Sequence, residues 1–541
     1  MLFPQPFHSN MSAQATTNPV NDVGRTTTAP SLSNLLPPPP SPALHPARSG
    51  PLLTGTLSSE TNPFFAAQVS ATLSRSSSSS SLRDQVRSGS ASTSTQPGDD
   101  ASAEPLFIGL DCSTQALKCS LLDSALEVLA ELEVRFDTDL SHFGTRGGTT
   151  PTSASEPGVV TSPVLMIVEA LDMLCDKMRA RAWPLHLVRA VSAAGQQHAS
   201  VFWSHSAPEL LRTLRPVTGM APQLAKGGAF SRAVVPNWQD SSTSAQCRAM
   251  EAHIGGAAKL ARITGSRAHE RFTGPQIARF RITEPEAYQQ TYRISLVSSA
   301  LTTLLCADGE IKGIDESDAC GMNLWDLSRP QRGWNERLLA FVAGETESVS
   351  GETLGPRAKE LAEKLGHVES DTGRVVGKIG SWFVQRYGFA HDCVVCPGTG
   401  DNPATYLSFV LGDAEGLVSL GTSDTVLVSA NSFNPHPEWH TFTHPAQIVA
   451  PSKEEIARNA SSGNGTTTSK AKASTPRYFA MLVYKSKLTP SATTLGRRTH
   501  LIAHQTARWP ANVFATITAL AHGTRSTALW KQHLRPLLND R

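Results

Sequence analysis

Residues 107–124 read FIGLDCSTQALKCSLLDS. Apolar and polar residues alternate up to a single carboxylate, Asp111, and a second alternating run begins at Leu117 after a turn of small residues. The pattern predicts two short strands joined by a tight turn. Backbone N–H groups and hydroxyls in such a turn can converge on a phosphate, and a nearby carboxylate can bind the accompanying cation. Taken alone, the pattern also fits an ordinary hairpin without a ligand.

The overall composition excludes several classes of protein. The chain has 541 residues and a net charge of +2, so we expect about two to four domains and neither a nucleic-acid nor a membrane partner. The longest apolar run, residues 294–307, is too short and too rich in Ser and Thr to cross a bilayer. Eight irregularly spaced cysteines favour buried thiols in a reduced, cytoplasmic protein over disulfides or a zinc site at Cys393 and Cys396.

The first 104 residues differ from the rest, since Ser, Thr and Pro make up 45 of them. Such a segment buries too little apolar surface to offset its ordering entropy, and we interpret residues 1–104 as a disordered tail. From residue 105 strands and helices are interleaved, as in a mixed α/β chain. The main predicted elements are strands at 106–113, 117–122, 128–136 and 188–194, and helices at 163–181, 358–365 and 379–387.

A second hairpin repeats the arrangement of the first. Gly421-Thr422-Ser423 joins two apolar runs, residues 417–420 and 425–429. Two facing hairpins, one in each lobe, hold the phosphates in the actin-like, ribonuclease-H-like ATPases. The fold class that we expect is therefore α/β of this type, with two lobes.

Several long strings follow one another along residues 106–485: IGLDCSTQALK, AGQQHASVFW, NWQDSSTSAQC, ITGSRAHERFTGPQI, ISLVSS, DACGMNL, RYGF, TGDNPA and VSLGTSDTVLV. Together they resemble the FGGY carbohydrate kinases, and among these the eukaryotic D-xylulose kinases. Glycerol and ribulose kinases share the two hairpins, whereas GQQH, GSRAHERFTG and TGDN favour D-xylulose. The resemblance implies transfer of the γ-phosphoryl group of ATP to O5 of D-xylulose.

The resemblance also assigns roles around the sugar. Asp401 matches the catalytic base, which a primary hydroxyl needs as the phosphoryl group arrives. Asn402, His198 and Arg271 match sugar contacts, and Gln197 lies beside them. Without the motifs, Asp401 would be a turn former, His198 a structural histidine at a strand end and Arg271 a surface charge.

Asp240 has two interpretations that the sequence leaves open. It lies with Trp238 where relatives approach the sugar, so it matches a substrate-binding residue. It could equally be the N-cap of the helix that follows.

The residues matched to Mg²⁺ and ATP lie in the two hairpins. Asp111 matches the acid that holds Mg²⁺, directly or through water. The residues matched to the phosphates are Ser113, Thr114, Gln115 and Lys118 in the first hairpin and Gly421, Thr422 and Ser423 in the second. Alternatively, Lys118 could only cover the hairpin and make no contact with phosphate.

The motifs divide the chain into a sugar-binding lobe, residues 105–408, and part of a nucleotide lobe, residues 409–485. Residues 486–541 match no part of the family and carry eight Lys and Arg against one acid, as a shifted reading frame or a retained intron would. We therefore expect a second lobe that is cut short, weak ATP binding and little turnover. The alternative functions are a remnant that at most binds sugar, and a kinase for another pentulose or polyol. The sequence does not indicate an oligomeric state.

Overall fold

The structure is a computed structural model that describes residues 104–345, 354–371, 373–409, 416–420, 424–446, 477–484 and 501–505. All of these lie in one compact unit, Asp99–Arg541. Residues 1–103 of the predicted tail and most of the segment 486–541 fall outside the described residues, and the lobe boundaries stay predictions.

The strands in chain order are β1 (Leu106–Cys112), β2 (Ala116–Leu122), β3 (Val128–Arg135), β4 (Thr161–Pro163), β5 (Val188–Gly195), β6 (Ser200–Ser204), β7 (Val234–Pro236), β8 (Thr291–Leu296), β9 (Ile314–Asp315), β10 (Trp325–Asp326), β11 (Gly333–Trp334), β12 (Val368–Glu369), β13 (Gly377–Lys378), β14 (Val394–Val395), β15 (Thr399–Gly400), β16 (Gly416–Leu420), β17 (Asp424–Ala430), β18 (His440–Thr443), β19 (Tyr478–Tyr484) and β20 (Leu501–Gln505).

The α-helices are α1 (Phe136–Asp139), α2 (Val164–Ala180), α3 (Ala207–Arg212), α4 (Met220–Gly227), α5 (Ser244–Ile254), α6 (Ala257–Thr264), α7 (Thr273–Thr283), α8 (Pro285–Gln289), α9 (Val297–Cys306), α10 (Glu316–Ala319), α11 (Glu336–Ala343), α12 (Pro356–Leu365), α13 (Ser381–Tyr387) and α14 (Asp401–Ser408). Short 3₁₀ turns lie at Ser141–Phe143, Leu185–Leu187 and Cys320–Met322.

The central sheet has the strand order β13-β14-β5-β1-β2-β3, and β15 also pairs with β5. Strands β1, β2 and β3 form the predicted antiparallel meander. Strands β1 and β15 both run parallel to β5, and Gly195 at the end of β5 is aligned with Cys112 on one side and Gly400 on the other. Three strands therefore present their carboxyl ends at one edge, the usual place for a ligand site in such sheets.

The first core lies on this sheet. Apolar residues at helical spacing predicted α2, and its buried stripe packs on β2 and β3. All ten residues of α9 are buried, and this helix packs on β5. Since β1 and β5 are buried along nearly their whole length, the edge with the three carboxyl ends has a rigid base.

A second sheet has the strand order β18-β19-β17-β16-β20. It contains the predicted strand pair β16 and β17, which run antiparallel. Phe442 and Phe479 from this sheet join a second core that includes Tyr406 of α14. Strand β20, from the segment without family motifs, pairs in parallel with β16.

All eight cysteines are buried and free, so the prediction that the thiols are buried is confirmed. Within the described residues, no helix combines the length and the apolar character that a membrane span needs.

Candidate active site

Three side chains to which the sequence assigned roles lie at the carboxyl edge of the central sheet. Asp111 is the sixth residue of β1, His198 lies in the loop after β5, and Asp401 is the first residue of α14, directly after β15. Because β1, β5 and β15 are parallel neighbours, side chains at or just beyond their ends converge although they are far apart in the chain. The edge thus brings the predicted base, metal acid and sugar contact together.

Asp401 is held by one of its two carboxylate oxygens. Its Oδ1 accepts hydrogen bonds from the backbone N–H of Gln197 at 3.2 Å, the backbone N–H of Asn402 at 2.8 Å and Asn402 Nδ2 at 3.1 Å. Asn402 Nδ2 also donates to Gln197 Oε1 at 3.0 Å. All the hydrogen bonds to Asp401 from described residues end on Oδ1, so Oδ2 is the oxygen left to accept a proton.

The two acids at this edge have unusual proton affinities. Burial, and secondly the charge of Asp111, raise the pKa of Asp401 from its ordinary 3.8 to about 7. Burial also raises the pKa of Asp111 to about 6, while the charge of Lys118 acts to lower it. A base whose pKa lies near the working pH is what general base catalysis favours.

This pKa shift predicts that Asp401→Asn stabilises the protein at alkaline pH. The folded state binds the Asp401 proton more tightly than the unfolded state, so the favourable contribution of Asp401 is full below pH 4 and is lost as the pH rises through 7. Asparagine carries no such cost and keeps the Oδ1 acceptor. We expect the variant to gain on the order of 2 kcal/mol in free energy of unfolding at pH 8 and little at pH 4.

Urea denaturation of the variant and the unchanged chain at both pH values measures this difference. Glu127→Gln is the matched control, because it also removes one carboxylate but at an exposed position. An Asp401→Asn gain that is the same at pH 4 and pH 8 would contradict the assigned pKa shift.

Asp111 is suited to a cation. Its Oδ1 is buried and has no hydrogen-bond partner among the described residues. Lys118 stands opposite Asp111 in the register of β1 and β2. The described residues contain no group of three or more His, Cys, Asp or Glu that could hold a metal unaided. The arrangement fits Mg²⁺, which binds through one or two carboxylates and takes its other ligands from substrate phosphates and water.

In the first hairpin turn, one hydroxyl donates a hydrogen bond within the turn, whereas the other keeps its hydrogen available. Ser113 donates to Ala116 O both from its backbone N, at 3.0 Å, and from Oγ, at 3.1 Å. Thr114 Oγ1 instead accepts from Trp238 Nε1 at 2.8 Å, and its own hydrogen remains available to a phosphate. Gln115 is exposed. The matched residues of the second hairpin, Gly421, Thr422 and Ser423, lie outside the described residues.

His198 is a buried acceptor. Its Nδ1 lies 2.9 Å from Gly321 O, and since a carbonyl only accepts, Nδ1 carries the hydrogen and Nε2 the lone pair. Burial is the main cause that lowers its pKa well below the ordinary value. The residue has φ 70°, a left-handed conformation that is costly for histidine and typical of functional sites. A Cβ at Gly321 would lie 2.8 Å from the His198 ring, so this position requires glycine.

Arg271 supplies donors beside this acceptor. Its guanidinium lies 5.4 Å from the centre of the Phe272 ring, on which His198 also stacks with ring centres 4.4 Å apart. Burial lowers the pKa of Arg271 to about 10, and the group stays charged. Its Nη2 lies 3.1 Å from Nε2 of His440, which comes from the second sheet. A polyol needs both donors and acceptors, and His198 and Arg271 offer one kind each.

Asp240 is not the helix cap that one interpretation predicted. Helix α5 begins at Ser244, and its N-cap is Thr243 with no side-chain cap bond. The Asp240 carboxylate is buried and accepts from Val160 N–H at 2.9 Å and from Gln276 Nε2 at 2.7 Å. It also accepts from the backbone N–H and the hydroxyl of Ser242 at 2.9 and 2.7 Å. It therefore joins three segments behind the site, and its contact with sugar stays a prediction.

Sequence patterns assigned no role to His440 or Gly321. Gly321 lies in the DACGMNL string, but no residue there received a role. His440 begins β18, where a polar residue heads a short buried strand. That feature is visible in the sequence, but nothing local indicates that its partner is Arg271.

No family profile matches the chain. Among curated proteins, the probable D-xylulose kinase A of Neosartorya fischeri is 44% identical over 341 residues, which are 63% of this chain and 56% of that protein. The protein of the same name from Aspergillus oryzae is 43% identical over 341 residues, with the same two shares of 63% and 56%. The chain thus spans a little over half the length of these curated relatives.

Two solved structures show the fold. The ligand-bound xylulose kinase of Lactobacillus acidophilus has a TM-score of 0.50 at 14% identity, over 71% of this chain and 60% of that one. The gluconate kinase of Lactobacillus acidophilus has a TM-score of 0.50 at 13% identity, over 71% of this chain and 61% of that one. At such identities the likeness concerns the fold alone.

The fold is the actin-like ATPase fold of these solved sugar kinases. The matched part of the chain is similar in sequence to curated proteins named probable D-xylulose kinase A. The resemblance to D-xylulose kinases and the fold class, both predicted from the motifs, are therefore confirmed.

Proposed function

We propose that the protein transfers the γ-phosphoryl group of ATP to the O5 hydroxyl of D-xylulose, giving D-xylulose 5-phosphate and ADP. The relatives named as D-xylulose kinases support the reaction and the sugar. The single observation that carries the proposal is Asp401, with one oxygen fixed by three donors, the other left to accept, and a pKa raised to about 7.

In the proposed reaction Asp401 Oδ2 accepts the O5 proton. As that proton leaves, O5 forms a bond to the γ-phosphorus and the bond from this phosphorus to the β-γ bridging oxygen breaks. His198 Nε2 and Asn402 Oδ1 accept hydrogen bonds from sugar hydroxyls, since both Nδ2 hydrogens of Asn402 are used by Asp401 and Gln197, and Arg271 donates to a sugar oxygen. These contacts fix O5 in line with the phosphorus, and such alignment supplies much of the catalysis in phosphoryl transfer.

The hairpin turn after β1 would hold the nucleotide. Thr114 donates its hydroxyl hydrogen to a phosphate oxygen, because Trp238 occupies a lone pair of Oγ1 and leaves that hydrogen available. Asp111 would hold Mg²⁺, which supplies charge neutralisation for the phosphates when it is bound. Eight buried, free cysteines favour a reducing compartment, and we place the reaction in the cytoplasm, in D-xylose metabolism.

The substrate assignment predicts a binding order. Calorimetric titration of the chain should show that D-xylulose binds more tightly than glycerol, D-ribulose or gluconate. His198→Ala should weaken D-xylulose binding by about 1–3 kcal/mol, because a sugar hydroxyl is left unpaired in a closed site. If glycerol bound as tightly as D-xylulose or more tightly, the assignment of D-xylulose as the substrate would be contradicted.

The control for His198→Ala is His444→Ala. His444 is a half-buried histidine whose pKa burial also lowers, but its side-chain contacts are with Ala446 and the Tyr406 ring rather than with the proposed sugar residues. An equal loss of D-xylulose affinity in both variants would indicate that His198 has only a structural role.

A further inference from the structure

Arg271 is a cation in the proposed sugar site, and no carboxylate among the described residues forms an ion pair with it. In the described part of the chain it takes part in no ion pair, and only the charge of neighbouring Glu270 acts to raise its pKa. Its partner is instead the Nε2 of His440, at 3.1 Å from Nη2. Arg271 is half-buried, and cations withdrawn from water are normally paired with acids, so this arrangement needs an explanation.

The hydrogen-bond inventory fixes the protonation of His440. A guanidinium has donors and no acceptor, so His440 Nε2 must carry the lone pair. The hydrogen then lies on Nδ1, which is 3.0 Å from the Oγ of Ser266, a fully buried hydroxyl that can accept it. Ser266 and Arg271 thus hold the two ring nitrogens in one neutral tautomer.

The other groups that face His440 favour the same state. The His269 ring stands edge-on with ring centres 4.6 Å apart, and Phe272 and Phe442 lie at 5.4 and 5.9 Å. Burial is the main cause that lowers the pKa of His440 well below its usual range, and the charges of His269, Arg271 and His198 act in the same direction. A neutral imidazole at this position is therefore strongly favoured.

The backbone places this imidazole accurately. The N–H of Thr441, next to His440 on β18, donates to Gly265 O at 2.9 Å. Gly265 has φ 83°, and a Cβ there would lie 2.1 Å from Thr441 O, so only glycine allows the close approach. Strand β18 is thus joined to the loop that carries both Ser266 and Arg271.

We propose that His440 is a positioning residue, whose neutral imidazole orients the Arg271 guanidinium toward sugar hydroxyls without neutralising its charge. An acid in its place would form an ion pair and compete with the sugar for the guanidinium donors. The sugar site is then completed by a residue of the second sheet. The inference rests on the proposed function for the role of Arg271, whereas the contact between His440 and Arg271 stands apart from it.

Two variants distinguish the effect of a hydrogen-bond acceptor at position 440 from the effect of a side chain that only fills the space. His440→Leu fills the space without an acceptor, and His440→Gln supplies an amide oxygen that can accept from Arg271. We expect His440→Leu to raise the dissociation constant for D-xylulose about ten-fold and His440→Gln to stay within about two-fold of the unchanged chain. The KM for Mg-ATP should not change in either. His440→Asn, too short to reach Arg271, should behave like His440→Leu and replaces it if the leucine variant does not fold.

A second readout does not depend on the sugar. Phenylglyoxal reacts with accessible, mobile guanidinium groups, and mass spectrometry of the peptide that contains Arg271 gives the labelling rate. We expect faster labelling in His440→Leu or His440→Asn, and unchanged labelling in His440→Gln and in the control His444→Gln. Equal labelling of Arg271 in all variants would overturn the proposed contact.

The two readouts distinguish the possible failures. Faster labelling of His440→Leu with unchanged D-xylulose affinity would overturn the positioning role. Absence of D-xylulose binding to the unchanged chain would overturn the proposed function, and with it the sugar role of Arg271, while the labelling would still decide the contact.

Discussion

Asp401→Asn is expected to lower the turnover of D-xylulose by about 10²–10⁴-fold while the sugar still binds. Asparagine keeps the oxygen that accepts from Gln197 and Asn402, so the local structure should persist. It replaces Oδ2 by an amide nitrogen, which cannot take the O5 proton. The loss should therefore appear in kcat and leave the dissociation constant for D-xylulose within about two-fold.

The pH profile gives an independent check of the same role. A base must be ionised to act, and the pKa of Asp401 is raised to about 7, so kcat of the unchanged chain should fall as the pH drops below 7. Glu127→Gln is the matched control, because it removes an exposed carboxylate of the β2–β3 hairpin and should leave kcat unaltered. If Asp401→Asn kept most of the turnover, the base would have to be another residue.

Asp111→Asn is expected to change the metal requirement as well as the rate. The amide has no charge to attract a cation at the buried Oδ1 position, so we expect the Mg²⁺ concentration for half-maximal rate to rise about ten-fold or more. Asp401→Asn should leave this concentration unchanged within about two-fold. Initial rates over a Mg²⁺ series at fixed ATP measure both variants, and like responses to Mg²⁺ would contradict the separate roles.

The stability prediction and the turnover prediction concern the same substitution. Asp401→Asn should gain stability at pH 8 and lose activity, which is the trade-off expected when a buried acid is retained for chemistry. An aspartate whose negative charge is stabilised by the fold, as in a capping or turn-forming role, would instead lose stability when that charge is removed. The two measurements together therefore distinguish a catalytic acid from a turn former.

Local pattern was enough to predict the first hairpin and α2. Alternation over a few residues marks β1 and β2, and the apolar stripe with helical spacing marks α2. The position of Asp111 at the end of β1 follows directly from that pattern. The roles at the sugar came from the motifs that resemble the FGGY kinases, and the pattern alone left structural alternatives open.

Contacts between distant segments could not be predicted from the sequence. Asp240 accepts from Val160, 80 residues away, and His440 meets Arg271, 169 residues away. The raised pKa of Asp401 depends on its burial beside Asp111, which the order of strands in the sheet produces. Each of these features arises from tertiary packing, for which neither periodicity nor turn chemistry gives a signal.

The most direct test of the central claim is ADP release from Mg-ATP by the purified chain, followed in a coupled assay with and without D-xylulose. We expect slow release, because the second lobe is predicted to be cut short, but release that depends on D-xylulose and that Asp401→Asn removes. D-xylulose that binds to the chain without stimulating ADP release would contradict it, and would instead support the alternative of a remnant that only binds sugar.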